Sequence, residues 1–321
     1  MAIFSENHNT AGTSLAVLIT YLDEGPLLKH CLESLITNTE LPDEILIHED
    51  GSDSCRTHIP ENLKNKIRIL KGSGGQGAAR NALASESKSQ YIHFHDADDL
   101  FTNHWVASHK KIIRDTGPQM IFSEFERLLP DGSVIHNAAK LSKLTNMDLV
   151  DFALEINFVP LGTVVHRDLF NLSGGFKTRE QMPFSEDDEF FLHCCLTSPS
   201  YAIIEKSLTQ QNWRPSSQCR DDANKVRIEC RIYNFKAIAG LDKKISAKHH
   251  PFLRRKAAAL IYDLCSLGKI EEANEIRNLT SAFGGSDFSN SVGKMTDLLS
   301  IFLGDIHACR FRLMLKKKFG C

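Results

Sequence analysis

Two clusters of acidic residues carry the clearest chemical signal in the sequence. The first is Asp96-Ala97-Asp98-Asp99 and the second is Glu186-Asp187-Asp188-Glu189. Neighbouring carboxylates suit Mg²⁺ or Mn²⁺, which use one or two of them together with substrate phosphates. A carboxylate can also act as a general base. An Asp-rich surface turn explains the first cluster equally well, and helix capping from Ser185 explains the second.

A glycine-rich stretch lies on the N-terminal side of both acidic clusters. Residues 72–77 read Gly-Ser-Gly-Gly-Gln-Gly, which fits G-x-G-x-x-G at Gly72, Gly74 and Gly77. Asp96 follows about 20 residues later, as in a nicotinamide dinucleotide site. However, the motif follows the third predicted strand and the downstream acid belongs to a cluster. A flexible turn into a helix is a further alternative.

The elements that would position these residues alternate between strand and helix. Apolar runs predict strands at 15–20, 44–48, 67–70 and 91–95, with helices after Gly25 and over 77–87. This order predicts an α/β fold with a mixed, mostly parallel sheet flanked by helices. Ligands bind at the carboxyl ends of such strands, where the acids and glycines lie.

The character of the chain changes near residue 220. Before it, strands are predicted at 120–125 and 163–166 and a helix at 185–196. After it, amphipathic helical segments dominate, at 228–239, 252–266, 270–278 and 294–303. We therefore expect a catalytic domain over 1–220 and an α-helical C-terminal region over 221–321.

Composition narrows the class of protein. The formal net charge is −2, so no bulk nucleic-acid partner is expected. No apolar run reaches the length of a membrane span, and the N-terminus lacks the pattern of a secretory signal. The nine cysteines form no C-x-x-C pair, which favours buried thiols in a reducing cytoplasm. The basic stretch 310–321 could contact the inner face of a membrane or be a solvated helix.

Four stretches in this order resemble the family-2 type of glycosyltransferases with the GT-A fold. They are SLAVLITYLDEGPLLKHCLESL, EILIHEDGSDS, GQGAARNALASESKSQYIHFHDADD and LGTVVHRDLFNLSGGFKTREQMPFSEDDEFFLHC. They match the family's first strand and helix, its "DDGS" segment, its "ARN" helix with the D-x-D motif, and its "ED" region. Together they extend over about residues 14–215.

The resemblance implies roles for individual residues. Asp187 would be the catalytic base and Asp98 the metal ligand. Nucleotide binding would fall to Thr20, Tyr21, Asp50, Gly77, Arg80 and Asp96. The donor and acceptor pocket would include Gly174, Gly175, Glu186 and Trp213. For Gly174 and Gly175, a helix C-cap is the alternative.

Two departures from the family pattern affect these expectations. The first strand reads Ile19-Thr20-Tyr21, without the proline common before that segment. Arg214 stands where many members have a histidine that completes the metal site. An arginine does not bind a cation, but it could pair with the diphosphate and is assigned to nucleotide binding.

The expected function is that of a nucleotide-sugar glycosyltransferase of the hexosyl or N-acetylhexosaminyl class. The donor would be a UDP-sugar, the reaction inverting and assisted by Mn²⁺ or Mg²⁺. The acceptor would be a glycan or a lipid-linked hydroxyl, in glycan, polysaccharide or glycolipid synthesis. A non-catalytic nucleotide-sugar binder and a nicotinamide-dependent oxidoreductase are the alternatives.

Overall fold

The computed structural model describes residues 13–156, 159–213, 223–241 and 243–319. Contacts divide the chain into two compact units. The first unit contains 1–147, 158–181 and 193–215, and the second contains 148–157, 182–192 and 216–321. The second unit thus takes in two short segments that precede residue 193 as well as the C-terminal helices. The domain boundary near residue 220 stays a prediction.

The first unit is built on one nine-stranded sheet. Its strands are β1 (Leu15–Tyr21), β2 (Glu44–Glu49), β3 (Ile67–Lys71), β4 (Tyr91–Asp96), β5 (Leu100–Phe101), β6 (Met120–Leu128), β7 (Val134–Ile135), β8 (Thr163–His166) and β9 (Tyr201–Asn212). The order across the sheet is β3-β2-β1-β4-β8-β6-β9-β5, with β7 paired to β6. The mixed sheet and the flanking helices confirm the predicted α/β fold class.

The four N-terminal strands form the parallel half of the sheet. All residues of β1 are buried, as expected for a central strand covered on both faces. Helix α1 (Pro26–Ile36) begins with a proline at its first turn and buries an apolar stripe that includes Leu28, Leu32 and Leu35. Helix α2 (Gly75–Glu86) follows β3. This half agrees closely with the sequence-based prediction.

The other half of the sheet is antiparallel except for the β6–β9 pair. Helix α3 (Trp105–Thr116) connects β5 to β6, and α5 (Arg167–Ser173) follows β8. The β6–β9 register shifts on both sides of Glu124, so that β9 carries extra residues there. Such a bulge breaks the alternation of apolar and polar residues, and β9 was not predicted.

The second unit is helical. It contains α4 (Leu149–Glu155), the first turns of α6 (Glu186–Leu196), α7 (Ala223–Ala239), α8 (His250–Ser266), α9 (Ile270–Thr280), α10 (Lys294–Leu303) and α11 (Asp305–Phe319). Its core brings together apolar side chains of α7, α8, α9 and α11, among them Phe235, Leu260, Ile261 and Ile276. Among the described residues, no helix is long and apolar enough to cross a membrane.

Candidate functional site

Asp96 lies at the carboxyl edge of the parallel strands and collects three hydrogen bonds on one oxygen. Its Oδ1 accepts from Thr20 Oγ1 at 3.1 Å, from Gln76 Nε2 at 3.0 Å and from Arg80 Nη2 at 3.2 Å. Thr20 is its neighbour in the β1–β4 register, while Gln76 and Arg80 come from α2. The three donors fix the carboxylate in one orientation, with part of the side chain still exposed.

Arg80 is the buried cation of this edge. Its side chain is 2% exposed, and it forms an ion pair with Asp96. The guanidinium also lies over the ring of Phe176, 5.2 Å from its centroid. An arginine is suited to this position because its planar group can stack on an aromatic ring while donating at its edge.

Asp50 and the glycine stretch form the next part of the edge. Asp50 Oδ2 accepts from the backbone N–H of Gly75 at 3.1 Å, where α2 begins. Gly74 and Gly75 have φ angles of +126° and +82°, which explains the glycines at this turn. Gly77 is buried inside α2. Because β3 is an edge strand rather than the central strand, the nicotinamide alternative gains no support from the fold.

Tyr21 and Asp53 join the loops that follow β1 and β2. The Tyr21 side chain is 1% exposed, and its hydroxyl donates to Asp53 Oδ2 at 3.0 Å. Burial and the Asp53 carboxylate raise the pKa of Tyr21 above its usual range. Asp23 accepts from the Asp53 N–H at 2.6 Å and from Ser52 Oγ at 3.1 Å. The Tyr21 side chain therefore braces the loops, and its predicted nucleotide contact stays a prediction.

The D-x-D turn is tied to the end of β9. Asn212 Nδ2 donates to the backbone oxygen of Asp98 at 2.6 Å, and the Asn212 N–H donates to Asp99 Oδ1 at 2.9 Å. Asp99 is 3% exposed, whereas Asp98 is half-buried. Asp99 is therefore a structural residue of the turn, and Asp98 is the more exposed carboxylate of the two.

Trp213 directly follows this anchor. Its N–H donates to the Leu128 carbonyl at 2.9 Å, and Arg127 stacks on its ring with the guanidinium carbon 4.1 Å from the centroid. The Trp213 ring is thus packed against a side chain of β6. Its predicted place in the donor and acceptor pocket stays a prediction, and Arg214 lies outside the described residues.

Glu24 adds a further carboxyl group to the edge and was missed in the sequence. Burial raises its pKa above the usual range, and the negative charges of Asp98 and Asp96 raise it further. A hard divalent cation beside Asp98 would offset this repulsion, so the donor set fits Mg²⁺ or Mn²⁺. Over the described ranges, no group of three or more His, Cys, Asp or Glu has the spacing of a complete metal site. Substrate phosphates would supply the remaining ligands.

Two buried histidines of β4 lie directly before the D-x-D turn. His93 Nδ1 lies 2.8 Å from the Thr163 carbonyl, so it must carry the proton and donate. His93 Nε2 then accepts from His95 Nδ1 at 3.1 Å. Burial lowers the pKa of His93 far below its usual value and that of His95 to about 4. Both rings are therefore neutral at physiological pH, with fixed tautomers.

The two glycines before Phe176 are held against α2. Asn81 Nδ2 donates to the Phe176 carbonyl at 2.8 Å, and Asn81 Oδ1 accepts from the Phe176 N–H at 2.9 Å. Gly174 ends α5 in the left-handed conformation, as the C-cap alternative proposed. Gly175 has φ +69°, and a Cβ there would lie 2.7 Å from Asn81 Oδ1. The "ARN" asparagine thus fixes the glycine turn beside Arg80.

Arg179 is a second residue that the sequence did not reveal. Its side chain passes across Gly75, where an added Cβ would lie 3.1 Å from Arg179 Cβ and 3.4 Å from Cδ. The residue is exposed and follows the glycine turn by a few positions. No motif marks an isolated arginine, so only the fold shows that it lies at the start of α2.

The predicted catalytic acid begins α6 in the second unit. Asp187 Oδ1 accepts from the Asp188 N–H at 2.9 Å, and Asp188 Oδ2 accepts from Asn234 Nδ2 at 2.8 Å. The Ser185 hydroxyl donates to the Cys230 carbonyl at 3.4 Å, and the capping alternative from Ser185 to Asp188 stays a prediction. Ser185 has φ +64°, an uncommon conformation outside glycine. Glu186, like Asp187, is half-buried.

The chain shares sequence with known glycosyltransferases. Residues 16–171, just under half of the chain, match the family described as Glycosyl transferase family 2. YibD of Escherichia coli, an uncharacterized glycosyltransferase, is 34% identical over 26% of this chain and 26% of its own length. YwdF of Bacillus subtilis, also uncharacterized, is 30% identical over 50% of this chain and 60% of its own length. The matched regions thus span 26% of the length of YibD and 60% of the length of YwdF.

Solved structures show the fold. TarS 1–349 of S. aureus superposes with a TM-score of 0.64 at 15% identity, covering 95% of this chain and 91% of that one. A complex of the same protein with UDP-GlcNAc gives a TM-score of 0.57 at 13% identity, covering 95% and 92%. The mannosyltransferase PcManGT of Pyrobaculum calidifontis, in complex with GDP-Man and Mn²⁺, gives 0.57 at 14% identity, covering 95% and 87%.

Proposed function

Because residues 16–171 match the family-2 glycosyltransferases and the fold is shared with TarS, we propose that the chain is a glycosyltransferase that transfers a hexose or N-acetylhexosamine from a UDP-sugar to an acceptor hydroxyl. The observation that carries the proposal is the edge built around Asp96. There, Thr20, Gln76 and Arg80 converge on one carboxylate at the strand ends where α/β sheets bind ligands. Binding of UDP-GlcNAc by TarS supports the choice of donor.

The nucleoside end of the donor would lie along the parallel strands. Asp50, already oriented by the Gly75 N–H, would accept from the base, and Asp96 would lie near the ribose. Arg80 holds Asp96 in place while its own charge is neutralised by that ion pair. Gly77 and Tyr21 are buried, so their part is to shape this edge.

The diphosphate of the donor is negatively charged, and the acidic edge of the sheet would repel it. Binding of the diphosphate therefore requires positive charge. Asp98 would hold Mg²⁺ or Mn²⁺, which would act as a Lewis acid toward the departing diphosphate. The solved complex of PcManGT contains GDP-Man and Mn²⁺, which supports divalent metal use. Arg179 at the start of α2, and Arg214, would add fixed positive charge for the phosphates. These cations compensate for the family histidine that this chain lacks.

Asp187 is the proposed base. An acceptor hydroxyl is a weak nucleophile until a carboxylate within hydrogen-bond reach takes its proton. Direct displacement at the anomeric carbon then inverts its configuration, with the base and leaving group on opposite sides. Glu186, Trp213 and the turn at Gly174 and Gly175 are proposed to shape the donor and acceptor pocket.

The acceptor is proposed to be a glycan or a lipid-linked hydroxyl at the cytoplasmic face of a membrane. Helix α11 supports this choice. Phe311 and Met314 are 40% and 52% exposed, next to the exposed cations Arg310, Lys316 and Lys317. Apolar side chains among cations suit an anionic lipid surface. Flotation with anionic vesicles should recover the protein, and neutral vesicles should not.

Titration calorimetry of UDP, with and without Mn²⁺, tests the proposed donor site. We expect metal to tighten UDP binding to the native protein, and Asp98→Ala to abolish that gain, about 10²-fold. Asp131→Ala, in an exposed turn of the same unit, is the matched control and should behave as native. Absence of UDP binding with and without metal would overturn the UDP assignment.

A further inference from the structure

The start of α6 concentrates negative charge. Residues 186–189 are four acids in a row within its first turn. The helix dipole stabilises such acids, typically by less than 1 kcal/mol each, but they also repel one another. A side chain in this turn keeps one fixed position only if other groups hold it. The contacts of Asp188 identify those groups.

Asn234 of α7 is the first of them. Its Nδ2 donates to Asp188 Oδ2 at 2.8 Å, and the Asn234 side chain is only 6% exposed. The two residues are 46 positions apart in the chain. A buried hydrogen bond to a charged acceptor contributes more than one between neutral groups, and losing the donor leaves the carboxylate partly unsatisfied.

Lys256 of α8 is the second. Its partly buried Nζ donates to the Leu154 carbonyl of α4 at 3.0 Å. Burial lowers the pKa of Lys256, while the charge of Asp188 acts in the opposite direction and favours the ammonium form. The positive charge of Arg231 opposes it, but Arg231 is itself paired with Asp263. The ammonium group is therefore anchored to α4, and its charge interacts favourably with that of Asp188.

Asn234 of α7 contacts the residue after Asp187 directly, and Lys256 of α8, held by the Leu154 carbonyl of α4, carries a positive charge that acts on the same carboxylate. We propose that Asn234 and Lys256 are positioning residues for the catalytic base. They fix the side chain of Asp188, and thereby the first turn of α6 that presents Asp187. The inference rests on the proposed role of Asp187. It makes the C-terminal helices part of the catalytic apparatus rather than an appended module.

The test uses Lys256→Met and Asn234→Leu, which keep side-chain length or shape and remove the charge or the donor. Lys256→Arg keeps the charge. Lys236→Met is the matched control, because Lys236 also lies on a helix of this unit but pairs with Glu275. Thermal unfolding of each variant shows whether it folds. Hydrogen exchange of the peptide over 183–192, UDP affinity, kcat and KM are then measured on the full chain.

We expect faster exchange over 183–192 in Lys256→Met and Asn234→Leu, but not in Lys236→Met. If the native protein transfers sugar, the kcat of Lys256→Met and of Asn234→Leu should fall about 10- to 100-fold, with the UDP affinity unchanged. Lys256→Arg should recover most of the kcat. Unchanged exchange in both variants, or an equal loss in Lys236→Met, would overturn the inference.

The exchange measurement separates this inference from the proposed function. A native protein that neither binds UDP nor transfers sugar would defeat the proposed function, and the exchange at α6 would still decide whether Asn234 and Lys256 hold the turn. A native protein that transfers sugar, with variants that lose UDP affinity instead of kcat, would defeat only the positioning role.

Discussion

The edge of the sheet around Asp96, which is the proposed donor site and is called the donor edge below, and the acidic turn of α6 are held in place by different means. Thr20 and Asp96 are neighbours because β1 and β4 run parallel in a fixed register, and Asp50 meets Gly75 where β2 and α2 adjoin. Asp188 instead accepts a hydrogen bond from Asn234 of α7, 46 positions away in the chain, and Lys256 of α8 is proposed to help hold it. Strand register positions residues through the backbone, whereas the α6 turn needs specific side chains. We therefore expect the first kind of site to tolerate surface change, and the second to respond to single substitutions in distant helices.

The largest expected effect is that of Asp187→Asn, which should change sugar transfer at the α6 turn but not UDP binding at the donor edge. Asp187→Asn should reduce sugar transfer by about 10²- to 10⁴-fold, because a general base is lost. The amide oxygen can still accept from the Asp188 N–H, so the helix start is preserved. UDP binding should not change, since the donor edge belongs to the other unit. Transfer assays and UDP titration measure the two quantities.

Asp168→Asn, an exposed acid of α5, is the control for this substitution and should leave transfer unchanged. Retention of full transfer in Asp187→Asn would show that the base lies elsewhere. A native protein that binds the UDP-sugar but transfers nothing would instead favour the non-catalytic binder.

Arg179→Ala tests the donor edge alone. If the guanidinium contacts the diphosphate, its loss should raise the donor KM about 10- to 100-fold, the usual value of a charge-assisted hydrogen bond. A lysine at this position keeps the charge but not the bidentate geometry of the guanidinium. The donor KM of Arg179→Lys should therefore lie between that of the native protein and that of Arg179→Ala. Steady-state kinetics with varied donor provide the measurement. A KM equal to that of the native protein would remove Arg179 from the site.

Acid should weaken the core of the first unit. His109 is fully buried, and burial lowers its pKa to about 4. The unfolded chain binds its proton near pH 6.5, so stability is lost as pH falls from about 6.5 toward 4. His109→Leu should reduce the difference in unfolding free energy between pH 7 and 4.5 by at most about 3 kcal/mol. Denaturant unfolding at both pH values measures this, and an unchanged difference would contradict it.

The smallest effect concerns the glycine turn beside Arg80. Gly175→Ala places a side chain at φ +69° and 2.7 Å from Asn81 Oδ1. The left-handed conformation costs about 1–2 kcal/mol, and the clash adds to it. Gly132→Ala has a similar φ of +82° with nothing within 4 Å, so it isolates the conformational cost. Equal unfolding midpoints for the two variants would show that the Asn81 contact is unimportant.

The parallel half of the fold could be predicted because its signals are local. Short apolar runs gave β1 to β4, and helical spacing gave α1 and α2. Helix α3 was missed, although Trp105, Val106, His109 and Ile113 recur at helical spacing. Strand β9 could not be found by alternation, since its bulge disrupts the pattern.

The residues of the candidate site divide in the same way. Asp50, Arg80 and Asp96 belong to motifs, so their positions at one edge followed from the strand order. Glu24, Arg179, Asn234 and Lys256 belong to none. Each acquires its place through a partner brought close by folding, as Lys256 does with a carbonyl 102 positions away. No single-sequence pattern encodes such a pairing.

The bulge between β6 and β9 has a consequence for insertions and deletions. The register passes from Ser123↔Ile204 to Leu128↔Asn212, so β9 has three more residues than β6 over this interval. Shortening β9 within the bulge would leave the later pairs intact. Beyond Thr209, however, loss of one residue would move Asn212 out of reach of Asp98 and Asp99. Length variation among natural relatives should therefore concentrate in the bulge and be absent from the last four residues of the strand.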